Sequence, residues 1–202
     1  MNVGLLRTLA ADAFGITAAS AATTADDLTT RLRRGEVAAL AQAYDQFHDQ
    51  VRGFARRLVG DNAAAEDLVQ EVFVTLPKAI QRYRGEAALG TFVMSIVVNH
   101  ARHHVRAAAR RRRMLEELSV QPRRNASADP EHTAARRQIA AALSRALDAL
   151  PLEERVAFVL CEVEDRPSAE AARILAVPDA TVRSRLFRAR RRLREQLAAE
   201  DL

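Results

Sequence analysis

Taken at 100° per residue, the apolar positions of this chain fall on helical stripes wherever they form a pattern. In residues 63–78, Ala65, Leu68, Val69, Val72, Phe73 and Leu76 share one side. Glu66, Asp67, Gln70 and Glu71 gather on the opposite side, at separations of one, three and four residues that place them on one face. From Thr91 to Arg113 a further helix is predicted, with Phe92, Ile96, Val97 and Ala101 inward. Toward the C-terminus, Ala171, Ala172, Ile174 and Leu175 make a short helix that Val177-Pro178-Asp179 ends. Proline lacks an N–H and pushes the preceding residue out of helical φ/ψ. A second helix is predicted from about Thr181, whose hydroxyl would cap its first turn. Val182, Leu186, Ala189, Leu193 and Leu197 form its core stripe. No segment shows sustained period-two alternation between glycine turns, so the fold class is all-α.

The stripes lapse twice, which divides the chain. Residues 1–25, rich in Ala and Thr, read as a poorly ordered N-terminal extension. Residues 114–135 read as a linker, because the run from Ser119 to Pro130 holds turn formers and no core positions. Two small helical domains result, at 26–113 and 136–202, the second built on the helix-turn-helix.

Charge sharpens this picture. Between Thr181 and Arg194, the side away from the core stripe carries seven arginines and no acid. Such a helix is costly to bury in protein and suits a major groove lined by phosphates, although runs of charge are commonly just a solvated face. The formal net charge of +5 also points to a polyanionic partner. Lys78 is the only lysine among 31 basic residues, a bias that partly reflects codon composition. The helix predicted from Thr91 to Arg113 adds Arg102, Arg106 and Arg110 to Arg113, again without an acid, as a stripe able to track phosphates. The acidic and amide cluster of Glu66, Asp67, Gln70 and Glu71 is unsuited to DNA. It is either ordinary solvated surface or a docking face for a basic protein helix.

Between these helices lies a loop, Gln81 to Phe92, with arginines, a tyrosine and two glycines. It can offer a pocket to an unpaired base, with Tyr83 or an arginine plane for stacking. Alternatively, Tyr83 and Phe92 pack under the loop, the commoner fate of aromatics.

Other chemistries find little support. The single Cys161 excludes an internal disulfide framework, and in its apolar run it reads as a small buried hydrophobe in a reducing cytosol. No apolar run approaches a membrane span and the N-terminus makes a poor signal peptide, so a cytoplasmic location is expected. His100, His103 and His104 have helical spacings that metal ligands use, but no cysteine or acid nearby in sequence completes a set, and no metal or cofactor is expected. No nucleophile elbow, phosphate-binding glycine loop or paired carboxylates appear, so an enzyme is not expected.

Two stretches together resemble the group IV, or extracytoplasmic-function, sigma factors of bacterial RNA polymerase. The run from Gly60 to Phe73 resembles the family's region 2.2, and Ala149 to Leu160 with Thr181 to Arg190 resembles region 4. The resemblance implies that Glu66, Asp67, Gln70 and Glu71 dock on core polymerase, at the coiled-coil clamp of the β′ subunit. It implies that the loop with Arg82, Tyr83, Arg84, Gly85, Glu86 and Ala87 captures a flipped base of the −10 element. Asn99, Arg102 and Arg106 would lie along that element's upstream edge. Thr181, Arg183, Ser184, Arg185 and Arg188 would read the −35 element in the major groove. The implied partners are core RNA polymerase, through β′ clamp and β flap, promoter DNA and an anti-sigma factor.

The chain departs from that family pattern at several positions. Leu76-Pro77 stands where an Ala-Trp pair is common, Phe92 where Trp is common, and His103 where an aspartate is usual. Ala176 and Ala180 replace glycines of the helix-turn-helix, a mild change provided Ala176 keeps a negative φ. Two other classes fit parts of the pattern: a free-standing helix-turn-helix regulator that binds as a dimer, and a sigma-like decoy that binds polymerase without melting promoters. The acidic cluster of residues 66–71 discriminates against the first, which has no need of a polymerase-docking face.

Overall fold

The computed structural model describes residues 25–117 and 134–199. The expected extension and most of the expected linker lie outside the described residues. The described chain is helical throughout, with no strand among the described residues. Its helices are α1 (Ala25–Arg33), α2 (Val37–Val59), α3 (Asn62–Ala79), α4 (Leu89–Glu117), α5 (Ala134–Ala149), α6 (Leu152–Phe158), α7 (Ser168–Leu175) and α8 (Asp179–Ala199). A 3₁₀ turn, Ile80–Arg82, follows α3, and a π turn, Val159–Val163, follows α6. The linker was expected from residue 114, but α4 continues to Glu117 and α5 begins at Ala134.

Helices α2, α3 and α4 pack on one another, with α1 laid along α2. The six apolar positions picked out in α3 are all buried, in one core with Phe47, Val51, Phe54 and Leu58 of α2 and Val93 and Val97 of α4. Local chemistry sets the corner between α2 and α3. Gly60 ends α2 at φ 70°, a left-handed position that suits glycine. The Asp61 side chain then accepts from the Ala63 N–H at 3.1 Å, capping α3.

The second group is α5 to α8. The core stripe of α8 (Val182, Leu186, Ala189, Leu193, Leu197) is buried as expected, against α5, α6 and α7. Cys161 lies in the π turn, half-buried, where burial first and Glu162 second push its thiol up to about 11. That environment disfavours the reactive thiolate. Two local expectations are corrected. Helix α8 begins at Asp179, two positions before Thr181, so Thr181 lies inside the first turn, its N–H bonded to the Pro178 carbonyl, and it is not the cap. Ala176 closes α7 at φ 52°, ψ 46°, the left-handed conformation that the mild reading of its substitution required it to avoid. A Cβ crowds the following carbonyl there. Ala176→Gly is therefore expected to stabilise the protein by about 0.5–1 kcal/mol, net of glycine's entropic cost. Calorimetry would read this as a rise in Tm of about 2 °C; a fall would show that the turn is unstrained.

The two groups share a polar seam. Arg155 of α6, 6% exposed, donates through Nη1 to the Leu58 carbonyl of α2 at 2.6 Å and to Asp148 Oδ1 at 2.9 Å. Its Nη2 donates to the Asp148 carbonyl at 2.5 Å and the Leu150 carbonyl at 3.4 Å. Burial lowers its pKa and Asp148 opposes that shift. Beside it, a Cβ on Gly60 would stand 2.4 Å from Asp148 Oδ1, so no side chain fits there while Asp148 keeps its place. Arg57 of α2, also buried, donates to Glu164 Oε1 at 2.8 Å.

Candidate nucleic-acid and protein interfaces

The acidic cluster separates into two pairs once folded. Glu66 is held by Arg52 across to α2 at 2.5 Å, a contact that raises the guanidinium's pKa. Glu71 Oε2 meets His100 Nδ1 at 2.9 Å and His104 Nε2 at 3.1 Å, both from α4. The sequence offered these histidines no nearby acid; α3 supplies one, although no group of three such residues is arranged to hold a metal ion among the described residues. Asp67 and Gln70 are exposed and make no side-chain hydrogen bond or ion pair with another described residue. They are the two members of the cluster whose polar atoms are not already engaged within the fold.

An apolar patch continues from that pair. Asp67, Gln70 and Val74 follow one another at three- and four-residue steps along α3, and Val74 is 79% exposed. Across a shallow groove stand Val37, 81% exposed, with Leu40, Ala41, Tyr44 and Asp45 of α2. The floor is Phe73, on which Tyr44 packs with ring centroids 4.8 Å apart. Exposed valines next to a tyrosine and an amide, rimmed by carboxylates, make a surface suited to protein contact. The sequence pattern gave the polar members and missed Val37, Tyr44 and Val74, because a single apolar residue on a polar face looks like noise until two helices set three together.

The loop after α3 is braced from behind. Arg33 of α1 donates to the Ile80 carbonyl at 3.5 Å and to the Tyr83 carbonyl, and Gln81 donates to the Arg33 carbonyl at 2.8 Å. Tyr83 takes the packing course: its ring lies 4.9 Å from Phe92 and its hydroxyl donates to the Ala87 carbonyl. Gly85 holds φ at 76° at the loop tip. Arg82, Arg84 and Glu86 are exposed, the last two loosely paired at 3.9 Å. Such a pair contributes little. The loop thus presents arginines on an aromatic base rather than a free tyrosine ring.

Helices α4 and α8 hold the basic candidates, and acids from other elements meet many of them. Asn99 is exposed and accepts from Arg102 at 3.2 Å. Arg102 also makes a two-pronged contact with Glu153 of α6, at 2.8 and 3.0 Å. Arg106 is exposed. On α8, Arg185 turns inward to Glu153 at 2.9 Å, with its side chain 17% exposed. Arg188 and Arg192 reach the buried Glu154 at 3.4 and 3.1 Å, and Arg190 pairs with Glu162. The acid-free arginine helix of the sequence is therefore balanced on its inner flank by α6 and the π turn. Its outward face is Arg183, Ser184, Phe187, Arg188 and Arg191. Phe187, 61% exposed, was not among the expected residues. The signal was available: it falls off the stripe of Val182, Leu186 and Ala189, where a large apolar residue has no core to fill. Arg183 pairs with Asp179, and Ser184 donates to the Thr181 carbonyl at 2.9 Å.

A bundle with a braced basic loop, followed by a helix-turn-helix whose second helix presents arginines, defines a DNA-binding protein. Residues 43–111 match the family model for sigma-70 region 2, and residues 140–193 that for sigma-70 region 4. The chain is 31% identical over 170 residues to the RNA polymerase sigma-H factor of Pseudomonas aeruginosa, covering 81% of this chain and 88% of that one. Over the same shares it is 28% identical to the ECF RNA polymerase sigma-E factor of Escherichia coli strain K12. Among solved structures, its fold matches CnrH in complex with the cytosolic domain of CnrY, with a TM-score of 0.64 and 21% identity, over 88% of this chain and 99% of that one. It also matches the sigma factor RpoE in complex with the anti-sigma factor NepR from Bartonella quintana, with a TM-score of 0.63 and 23% identity, over 80% and 98%. The chain belongs to the sigma-70 family as a sigma factor of the extracytoplasmic-function type. It directs promoter-specific initiation by RNA polymerase, and its family comprises specificity subunits, not enzymes.

Proposed function

We propose that this sigma factor docks on the β′ clamp of core polymerase through Asp67 and Gln70 together with the Val37, Tyr44 and Val74 patch. The observation that carries the reading is the uncommitted Gln70 on a groove with exposed Val37 and Val74, with Asp67 one step back along the same face of α3. Glu66 and Glu71 act behind that surface, fixing α3 to α2 and α4 through Arg52, His100 and His104. The domain at 26–113 receives the −10 element: Arg82, Arg84, Gly85, Glu86 and Ala87 form the rim of a base pocket, on the base that Tyr83 and Phe92 make. Asn99, Arg102 and Arg106 follow the strand upstream. The domain at 136–202 reads the −35 element from Thr181, Arg183, Ser184, Arg185 and Arg188 and rests on the β flap, and residues 114–135 join the two. The protein works in the cytoplasm without cofactor or catalysis of its own, under an anti-sigma factor.

Run-off transcription by purified core polymerase on a fragmented genomic library, with and without the protein, tests this directly. New transcripts that share two upstream elements about two helical turns apart are expected. Binding to core with no new transcript would overturn the promoter assignment. Once a promoter is known, Arg183→Ala and Arg188→Ala are each expected to cost about 1–3 kcal/mol at a −35 base they read. A uniform loss on every sequence, with a shallower salt slope, would make them phosphate contacts instead.

A further inference from the structure

On the reading just proposed, Arg188 takes a base edge in the −35 element; Arg192 lies one turn further along the same flank of α8. Both guanidinium groups converge on one carboxylate of α6. Arg188 Nε stands 3.4 Å from Glu154 Oε1, and Arg192 Nε stands 3.1 Å from Oε2. The partners differ in exposure: the Glu154 side chain is 9% exposed, the two arginine side chains 49% and 45%. Glu154 is also the rigid member. It sits in the first turn of α6, its N–H bonded to the Pro151 carbonyl at 2.9 Å, directly before the buried run from Arg155 to Leu160. Its Oε2 is buried without a hydrogen bond from any described residue, so the charge of Arg192 beside it is its compensation. A buried carboxylate stripped of all such charge is costly. Here one arginine can leave while the other still balances it.

We propose that Glu154 is a positioning residue for −35 recognition: it aims Arg188 from the flank of α8, and Arg192 keeps the carboxylate balanced once Arg188 has closed on DNA. The inference rests on Arg188 as a base contact and says what gives that contact its selectivity. A long side chain free in solvent loses rotamer freedom when it settles on a base. One already held to a rigid carboxylate has less to lose. It also approaches the base edge from one direction, which a two-pronged contact requires. The hold is easy to give up. At 3.4 Å, on a side chain half in solvent, the Arg188 contact is a weak ion pair. Its departure strands no charge while Arg192 stays in place.

The test is run-off transcription by the holoenzyme on a promoter it recovers from genomic fragments, with the −35 element randomised and the transcripts sequenced. At the position Arg188 reads, the native protein is expected to favour one base by about tenfold or more. Arg188→Ala erases that preference. Glu154→Gln keeps the shape, removes the charge and cuts the preference to less than about threefold, with the other −35 positions read as before. Yield from disfavoured sequences does not fall, because loss of an acid weakens no phosphate contact. A role confined to stability would lower yield on every sequence together and leave the preference standing, which overturns the proposal. Arg192→Met is the second arm. Arg188 must then leave a buried carboxylate bare, so yield from the favoured sequence falls about tenfold, and adding Glu154→Gln restores yield without the preference. Losses that simply add would make Arg192 a phosphate contact and overturn its balancing role. Glu195→Gln removes an exposed acid that pairs with Arg191 instead, and leaves the preference unchanged; flattening there too would mean a general effect of charge and overturn the proposal. Failure to recover a promoter, or an Arg188→Ala protein with every preference intact, overturns the −35 reading and the positioning role with it. A preference lost with Arg188→Ala but kept with Glu154→Gln overturns the positioning role alone.

Discussion

Asp67→Lys combined with Val74→Glu is expected to abolish binding to core polymerase while leaving the fold and its Tm intact. Both side chains stand in solvent, and surface changes of this sort usually alter stability by less than about 0.5 kcal/mol. Binding surfaces concentrate their energy in a few central residues, and truncating one costs about 2 kcal/mol or more. Reversing a charge and inserting another in the same groove should exceed that, for a loss of affinity of more than about a hundredfold. Native co-elution with core, with circular dichroism as the control for folding, reads both halves. Retained affinity would move the docking site away from the groove between α2 and α3. Glu71→Arg makes the informative comparison. It sets a cation against His100 and His104, so its effect on binding should come with a loss of stability that the double variant does not show.

A second large effect is expected at Arg155, where no partner need be present. Arg155→Met removes the shared donor of the Leu58, Asp148 and Leu150 carbonyls and takes the Arg155 charge away from the Asp148 carboxylate at the seam. Breaking a buried pair from one side costs about 3–5 kcal/mol, and because Asp148 is partly exposed the lower end, about 3 kcal/mol, applies. For a chain of this size that lowers Tm by about 6–12 °C. Arg194→Met, an exposed change on the same protein, should shift it by no more than about a degree or two. Equal effects would mean that the seam adds nothing to stability.

What the sequence made legible, and what it hid, follows from the range over which each feature is encoded. The stripes of α3 and α8 were readable because burial of a helix face repeats every three or four residues, and each buried residue carries that signal itself. The break at Val177-Pro178 was readable for a similar reason, since proline acts on its neighbour. The partners of the charged residues were not. Glu153, Glu154 and Glu162 balance arginines 28 to 51 positions away, so no local spacing announces them. Glu71 looks like one of four equal members of an acidic and amide face, because His100 and His104 of α4, which close on it, lie 29 and 33 positions on. Arg155 sat within a stretch that carried the family resemblance and still gave no hint that its side chain would be buried. Only the meeting of α2 with α6 supplies the carbonyls that make burial tolerable. The left-handed turn at Ala176 escaped because a residue that carries a Cβ seldom adopts it.

The crowding at Gly60 carries a consequence for how such chains diverge. Asp148 occupies the space a Cβ would need, and Arg155 depends on Asp148. Any side chain at position 60 must therefore evict the aspartate, and an evicted aspartate leaves a buried guanidinium without its counter-ion. The three positions form one unit of inheritance. In descendants of this sequence a glycine lost at 60 should travel with loss of the acid at 148 and of the arginine at 155, although 88 and 95 residues separate them from it along the chain.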